Sequence, residues 1–234
     1  MKRTFAFGAA TSQGAWPVQE DGFFADPMQG FFAVADGFGG RGAGDLAAKT
    51  ALLEIRAAKN PPEGNLFSPL VRRQREAFLL AHKQIQEKNS GKAPAARGGC
   101  SLLAASISAT GQLFLTQCGA CVALLVRAGR ISPILLPQGG PREEFQPLAP
   151  EQALGLGETL LPESRTLNLE PGDILVMASG GLEWESESFQ LELISQLSVR
   201  TSGGDLTPAA SHIVENSSLA AQSWNRTLLL VERI

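Results

Sequence analysis

Phe31-Phe32-Ala33-Val34-Ala35-Asp36-Gly37-Phe38-Gly39-Gly40 runs straight on into Arg41-Gly42-Ala43-Gly44-Asp45. An apolar run that meets Asp-Gly and then more glycines predicts a strand, a tight turn and the start of a helix. That layout places one carboxylate at a strand end, beside backbone that Gly37 and Gly39 leave open to close approach. Asp36 is therefore the first candidate for chemistry. An aspartate there equally suits a plainer role, accepting hydrogen bonds from the turn amides.

Outward from this stretch, residues 4 to 9 read as an opening strand, and Phe23-Phe24 suggests another strand within Gln13 to Asp26. The acidic segment Gln19-Glu20-Asp21 lies one strand before Asp36. Asp45 to Ala58 carries Leu46, Leu52, Leu53 and Ile55 among small alanines, a helix able to lie close against a sheet. Asn60 to Asn65, rich in proline and glycine, ends it, and a second helix is expected from about Pro69 to Lys88. Arg72, Arg73 and Arg75 near its start read as a solvated face, and Ser90 to Gly99 as a loop of small residues.

From Cys100 the period shortens. Ser101 to Ser108, Leu113 to Gln117, Val122 to Arg127 and Ile131 to Leu135 predict an antiparallel meander. Pro137 to Arg165 reads as an excursion over the surface, and Ile174 to Ala178 as a buried strand that ends at Ser179-Gly180-Gly181. Helical patterns follow over Leu182 to Ser198 and Pro208 to Ala220, then a last strand over Thr227 to Glu232. Strands flanked by helices in pairs argue an α+β layered sandwich, and nothing in the middle of residues 1 to 234 reads as a long linker, so one domain is expected.

Composition narrows the function classes. A net charge of −3 gives no electrostatic reason to bind nucleic acid. No run reaches the ~18 apolar residues of a membrane span, and the apolar stretch after Lys2-Arg3 is short and broken by Gly8, so it reads as a strand rather than an export signal. Three cysteines, Cys100, Cys118 and Cys121, are an odd number, which favours reduced thiols and a cytoplasmic protein. Cys118-Gly-Ala-Cys121 has the spacing of a redox or zinc pair, but it falls where two strands meet around a tight turn. No second pair of Cys or His completes a zinc site, since His82 and His212 are the only histidines and both lie in helical patterns.

Taken in order, six segments resemble the metal-dependent PP2C-type (PPM) serine/threonine protein phosphatases. Gln19-Glu20-Asp21 is similar to that family's Asn-Glu/Gln-Asp segment, and Asp36-Gly37-Phe38-Gly39-Gly40 to its Asp-Gly-x-Gly-Gly signature. Gly99-Cys100-Ser101 stands where Gly-Thr-Thr is usual, and Cys118-Gly119-Ala120-Cys121 covers the place of Gly-Asp-Ser. Pro171-Gly172-Asp173 through Ser179-Gly180-Gly181-Leu182 resembles Pro-Gly-Asp through Ser-Asp-Gly-Leu, and Trp224-Asn225-Arg226-Thr227 resembles Asp-Asn-x-Thr. The resemblance implies an α-β-β-α sandwich of two mostly antiparallel sheets between helix pairs, and a stand-alone bacterial member of the family.

It also implies a centre of two hard divalent ions bridged by a carboxylate and by the water that attacks phosphorus. On this chain Asp36 would bridge, the Gly37 carbonyl would sit beside it, and Glu20 and Asp21 would serve the second ion. Three further aspartates of the family pattern are missing, because Gly180, Trp224 and Ala120 stand in their places. The phosphate-gripping arginine is replaced by Trp16 or its neighbours. Two divalent ions bring about four positive charges, which carbonyl oxygens alone do not offset. The sequence therefore leads us to expect at most one Mg2+ or Mn2+. It also leads us to expect a catalytically impaired, pseudophosphatase-like protein that binds another protein: a Ser/Thr kinase, a phosphoprotein or a multiprotein assembly. A phosphatase working weakly on one ion is the alternative, and the segment from Pro137 to Arg165 is the expected contact surface, where the family carries a flap.

Overall fold

The computed structural model describes residues 4–58, 67–138, 152–218 and 223–234. Lys2-Arg3, the Asn60 to Asn65 segment and the middle of the expected excursion, 139–151, lie outside the described residues, as does the end of the helix expected to reach Ala220.

The apolar run at Phe31 becomes the middle of a strand. Strand β2 (Asp21–Asp26) pairs antiparallel with β3 (Phe31–Gly39), which pairs with β4 (Gly98–Ile107), then β5 (Gln112–Cys118) and β8 (Glu163–Asn168). The second sheet is ordered β1 (Phe5–Ser12), β10 (Arg226–Arg233), β9 (Ile174–Ala178), β6 (Val122–Arg127) and β7 (Arg130–Leu135), again antiparallel throughout. Helices α1 (Ala43–Ala58) and α2 (Phe67–Asn89) pack on the first sheet, and α3 (Glu187–Ser198) and α4 (Thr207–Glu215) on the second. The expected α-β-β-α sandwich is what forms.

Side-chain alternation builds its three apolar layers. Along β3, Phe31, Ala33 and Ala35 face α1 and α2, while Phe32 and Val34 enter the space between the sheets. Along β10, Leu228 and Leu230 meet α3 and α4, while Leu229 and Val231 face the other sheet. Both strands are buried on two faces, so they read as continuous apolar runs instead of alternating ones.

Four expectations need correction. Asp36 is not at a strand end, because β3 continues through the glycines to Gly39 and pairs with β4 all the way to Gly98. The glycines serve close approach instead. A Cβ on Gly37 would fall 2.2 Å from the Gly44 carbonyl oxygen and 2.6 Å from that of Glu20, so α1 can reach β3 only over bare backbone. The meander is really two hairpins in different sheets, since β4 and β5 belong to one and β6 and β7 to the other. Residues 119–121 carry the chain across, so Cys118 and Cys121 do not flank a hairpin turn. Finally, the end of the excursion is an edge strand, β8, whose Glu163-Ser164-Arg165-Thr166 face is polar and has no apolar period to announce it.

Candidate functional site

The site lies at the end of the sandwich where β2 and β3 meet the loop after β9. Asp21 and Asp36 are direct partners in the antiparallel register, so their side chains share one face. That face continues the row of Phe32 and Val34 and looks toward the second sheet. There the Gly180 amide donates to Asp36 Oδ2 at 2.7 Å. Ser101, the partner of Asp36 on β4, accepts from the Ala120 amide at 2.9 Å, which holds the crossing segment against the same end.

Asp21 sits among these groups with both carboxylate oxygens buried and without a hydrogen bond of normal geometry. Burial, and then the charge of Asp36, push its pKa well above the usual aspartate range, while the nearby hydroxyls of Ser179 and Thr227 pull the other way. Those two residues are fixed by each other: the Thr227 amide donates to Ser179 Oγ at 2.9 Å, and the Ser179 amide to the Thr227 carbonyl at 3.0 Å.

Glu20 goes elsewhere. Adjacent residues of an extended segment point to opposite sides, and the Glu20 carboxylate takes the Trp16 indole N–H at 3.1 Å on Oε2. Its Oε1 lies where a Cβ on Gly44 would meet it at 2.8 Å, at the opening turn of α1. Burial raises its pKa, and Trp16 with the Gly44 and Asp45 amides opposes that rise, the ordinary balance for a carboxylate at a helix N-terminus. Glu20 therefore points toward the start of α1 with its Oε1 buried and without a hydrogen bond of normal geometry, and only Asp21 of the expected acidic pair faces Asp36.

The residues that replace the family's aspartates are equally well placed. Gly180 leaves room for its amide to reach Asp36, since a Cβ there would come within 2.9 Å of Asp36 Oδ2 and 3.3 Å of the Ala120 Cβ. Trp224 turns to Trp16, with ring centroids 5.1 Å apart in a tilted stack. Asn225 closes the same edge: its Oδ1 accepts from the Glu20 amide at 2.7 Å and its Nδ2 donates to the Gln13 carbonyl at 2.9 Å. Arg226 is buried and donates from Nη2 to Ser12 Oγ at 3.0 Å. Burial lowers its pKa and Asp21 counters that effect. Ser179, Thr227, Asn225 and Arg226 entered the sequence reading only as members of the family-like segments, with no role assigned to them. The signal for them was position, since each sits just beyond or at the end of a buried strand.

The donor set facing the gap between the sheets is thus Asp21 and Asp36. Among the described residues, no three of His, Cys, Asp and Glu converge to hold a metal ion. One of Asp36's oxygens already accepts an amide hydrogen bond, and Glu20 faces the start of α1, with Oε2 held by the Trp16 indole. These residues do not fit a pair of hard divalent cations, which take six or more oxygen ligands each. The cysteines offer no alternative. All three are buried free thiols whose pKa values burial raises, Cys118 to about 12, and protonated thiols are neither nucleophiles nor zinc ligands.

A sandwich of two antiparallel sheets between helix pairs is a fold shared with solved bacterial serine/threonine phosphatases. The sequence profile of Protein phosphatase 2C matches residues 16–135, and the chain belongs to that family. Among solved structures it is similar to PppA, a key regulatory component of T6SS in Pseudomonas aeruginosa, at 20% identity with a TM-score of 0.82, covering 99% of this chain and 98% of that one. It is similar to the Mycobacterium tuberculosis serine/threonine phosphatase PstP at 19% identity with a TM-score of 0.79, covering 98% and 99%. The phosphatase of S. agalactiae matches at 18% identity and a TM-score of 0.82, covering 98% and 100%. At these identities the structures speak for the fold. The catalytic domain of PstP is described in complex with two manganese ions. No curated protein matches the chain in sequence. Among the described residues, no helix is long and apolar enough to cross a membrane.

Proposed function

We propose that this chain is a PP2C-fold pseudophosphatase, a cytoplasmic protein that regulates by binding another protein and has lost efficient phosphate-ester hydrolysis. The observation that carries the reading is the donor set: Gly180, Ala120 and Trp224 stand where the family pattern has aspartates, while the strands and glycine contacts around them are intact. A carboxylate-poor site forgoes the metal-activated water that supplies most of the rate in such chemistry. Selective loss of ligands from a preserved scaffold suits a surface kept for recognition. The partner class is a Ser/Thr kinase, a phosphoprotein or a multiprotein assembly, and the description of PppA as a regulatory component of T6SS supports a regulatory role on this fold. Leu136, Leu156 and Leu161, exposed at the two described ends of the 137–165 excursion, support that segment as the contact surface.

One observation favours a second reading, a weakly active phosphatase using a single Mg2+ or Mn2+. Both oxygens of Asp21 are buried without a hydrogen bond of normal geometry, which suits an ion shared with Asp36 and the Gly37 carbonyl. Calorimetric titration of the chelator-stripped protein with Mn2+, run beside Asp36→Asn, separates the two. No binding, or one weak site with no phosphate release from a phosphopeptide, is the expected result. Two saturable sites that disappear in Asp36→Asn would return the protein to the working phosphatases.

A further inference from the structure

Trp16 and Trp224 stack at the rim of this end of the fold, with ring centroids 5.1 Å apart and planes tilted by 42°. Rings at that angle cannot fully cover each other, and Trp16 remains 37% exposed with Trp224 half-buried. A bonded frame holds both. The Trp16 carbonyl accepts from Gln13 Nε2 at 2.7 Å, the Gln13 carbonyl from Asn225 Nδ2 at 2.9 Å, and Asn225 Oδ1 from the Glu20 amide at 2.7 Å. Asn225 follows Trp224 directly, so one network sets both rings and joins the 13–20 loop to the entry of β10. Large aromatic rings fixed in advance at a surface are the kind of group that anchors a partner.

The chemistry of that partner follows from Glu20. The residue is only 3% exposed, its Oε2 accepts from the Trp16 indole N–H at 3.1 Å, and its Oε1 is buried without a hydrogen bond of normal geometry. Among the described residues no lysine, arginine or histidine forms a salt bridge with it. The start of α1 offers it only the dipoles of the Gly44 and Asp45 amides. Its charge is therefore unmatched by a cation of this chain, and it acts through the indole that it holds. An anion on the N–H edge makes the ring face more electron-rich, and the face of tryptophan is already the aromatic surface that attracts cations best. We propose that the Trp16–Trp224 pair is the docking platform for an arginine side chain in a basic segment of the partner protein. A planar, weakly hydrated guanidinium stacks on an indole where a compact ammonium does so less well. The net charge of −3 favours the approach of such a segment. This rests on the protein-binding reading and deepens it, because it names the chemistry by which the partner is held.

The full chain has three tryptophans, so its indole N–H signals in NMR report Trp16 and Trp224, with Trp184 as an internal control. Titration with a capped Gly-Arg-Gly-Arg-Gly peptide is expected to shift the Trp16 and Trp224 signals saturably and to leave Trp184 unmoved. The lysine counterpart should bind less tightly, and the citrulline counterpart, which keeps the shape without the charge, about threefold or more weakly. Trp16→Leu and Trp224→Leu should each weaken arginine binding by about threefold or more. Glu20→Gln keeps an acceptor for the indole and removes the charge, so it should bring the arginine and citrulline affinities closer together. Several results overturn the inference: no saturable shift, equal movement of Trp184, equal binding of arginine and citrulline peptides, tighter binding of a proline counterpart, or discrimination that Glu20→Gln leaves unchanged. Should the leucine variants fail to fold, the comparison of wild type with Glu20→Gln still decides. Mn2+ titration speaks separately to the reading beneath it. Two-site binding with phosphate release would sink the pseudophosphatase, whereas an inactive protein that ignores the arginine peptide would sink only the arginine platform.

Discussion

Asp21 is held in a state that an isolated aspartate would not choose. Burial and the facing Asp36 raise its pKa, so ionising it costs the folded protein stability that the unfolded chain does not lose. The sign follows from the direction of the shift. The raised folded pKa leaves stability undiminished below the ordinary aspartate value of 3.8 and erodes it as pH climbs from there toward the folded value. Asp21→Asn is therefore expected to be more stable than the wild type at pH 7 in EDTA, raising Tm by about 2–4 °C for each kcal/mol recovered. The gain should vanish below pH 3.8, and thermal unfolding across pH reads it directly; a variant no more stable at pH 7 would mean that Asp21 is better solvated than its position implies. At this scale the sequence was informative about identity but not direction. Asp36 and Asp21 were legible as candidates, whereas the turn of Glu20 toward Trp16 and α1 depends on which residues of the β2 entry point inward. No periodicity marks that choice in the short segment Gln19-Glu20-Asp21.

Among the elements, β10 carries the heaviest polar load. Its Glu232 is fully buried and takes two hydrogen bonds from the Arg200 guanidinium, 2.7 Å and 3.0 Å, with Ser202 Oγ and the Gly203 amide each at 2.8 Å. Burial alone would raise its pKa, but Arg200, Gly203 and Ser202 together bring it below the usual value of 4.5. These contacts lash the link between α3 and α4 to the last strand. Glu232→Gln is expected to cost about 1.5–3 kcal/mol at pH 7, because it removes the charge and one of the two acceptor oxygens that the partly buried Arg200 guanidinium pairs with. A lowered folded pKa gives stability that is complete above 4.5 and lost as pH falls through the folded value, so the gap between wild type and variant should narrow on the acid side. Denaturant melts at pH 7 and at pH 4 measure both effects. Most elements could be read from sequence because buried strands such as Ile174–Ala178 are unbroken apolar runs. β8 could not, since an edge strand meets water and its Glu163–Asn168 sequence obeys no burial period.

Over the whole molecule, strand and helix patterning already argued a layered α+β sandwich, and the family pattern added its α-β-β-α order. The run from Cys100 to Leu135 looks like one meander, and only the crossing at 119–121 divides it between sheets. The same crossing buries Cys118 and Cys121 with Cys100, all 0% exposed, so iodoacetamide at pH 8 is expected to leave the native protein unlabelled and to modify all three thiols after unfolding. Labelling of the native protein would show that this end opens. The division between sheets also sets an order of assembly. In the first sheet, β2, β3, β4 and β5 follow one another in the chain, so each new strand finds its neighbour already made. In the second, β1 pairs only with β10, and Phe5 meets Arg233 at the far end of the chain. A closure that long is slow, and it comes late. Pulsed hydrogen exchange should accordingly protect β3 and β4 before β1; simultaneous protection would contradict this order. On a ribosome β1 must wait, apolar and unpaired, until β10 has been made, and a chain interrupted before Arg226 would leave Phe5–Ser12 as an exposed edge seeking a strand from another molecule.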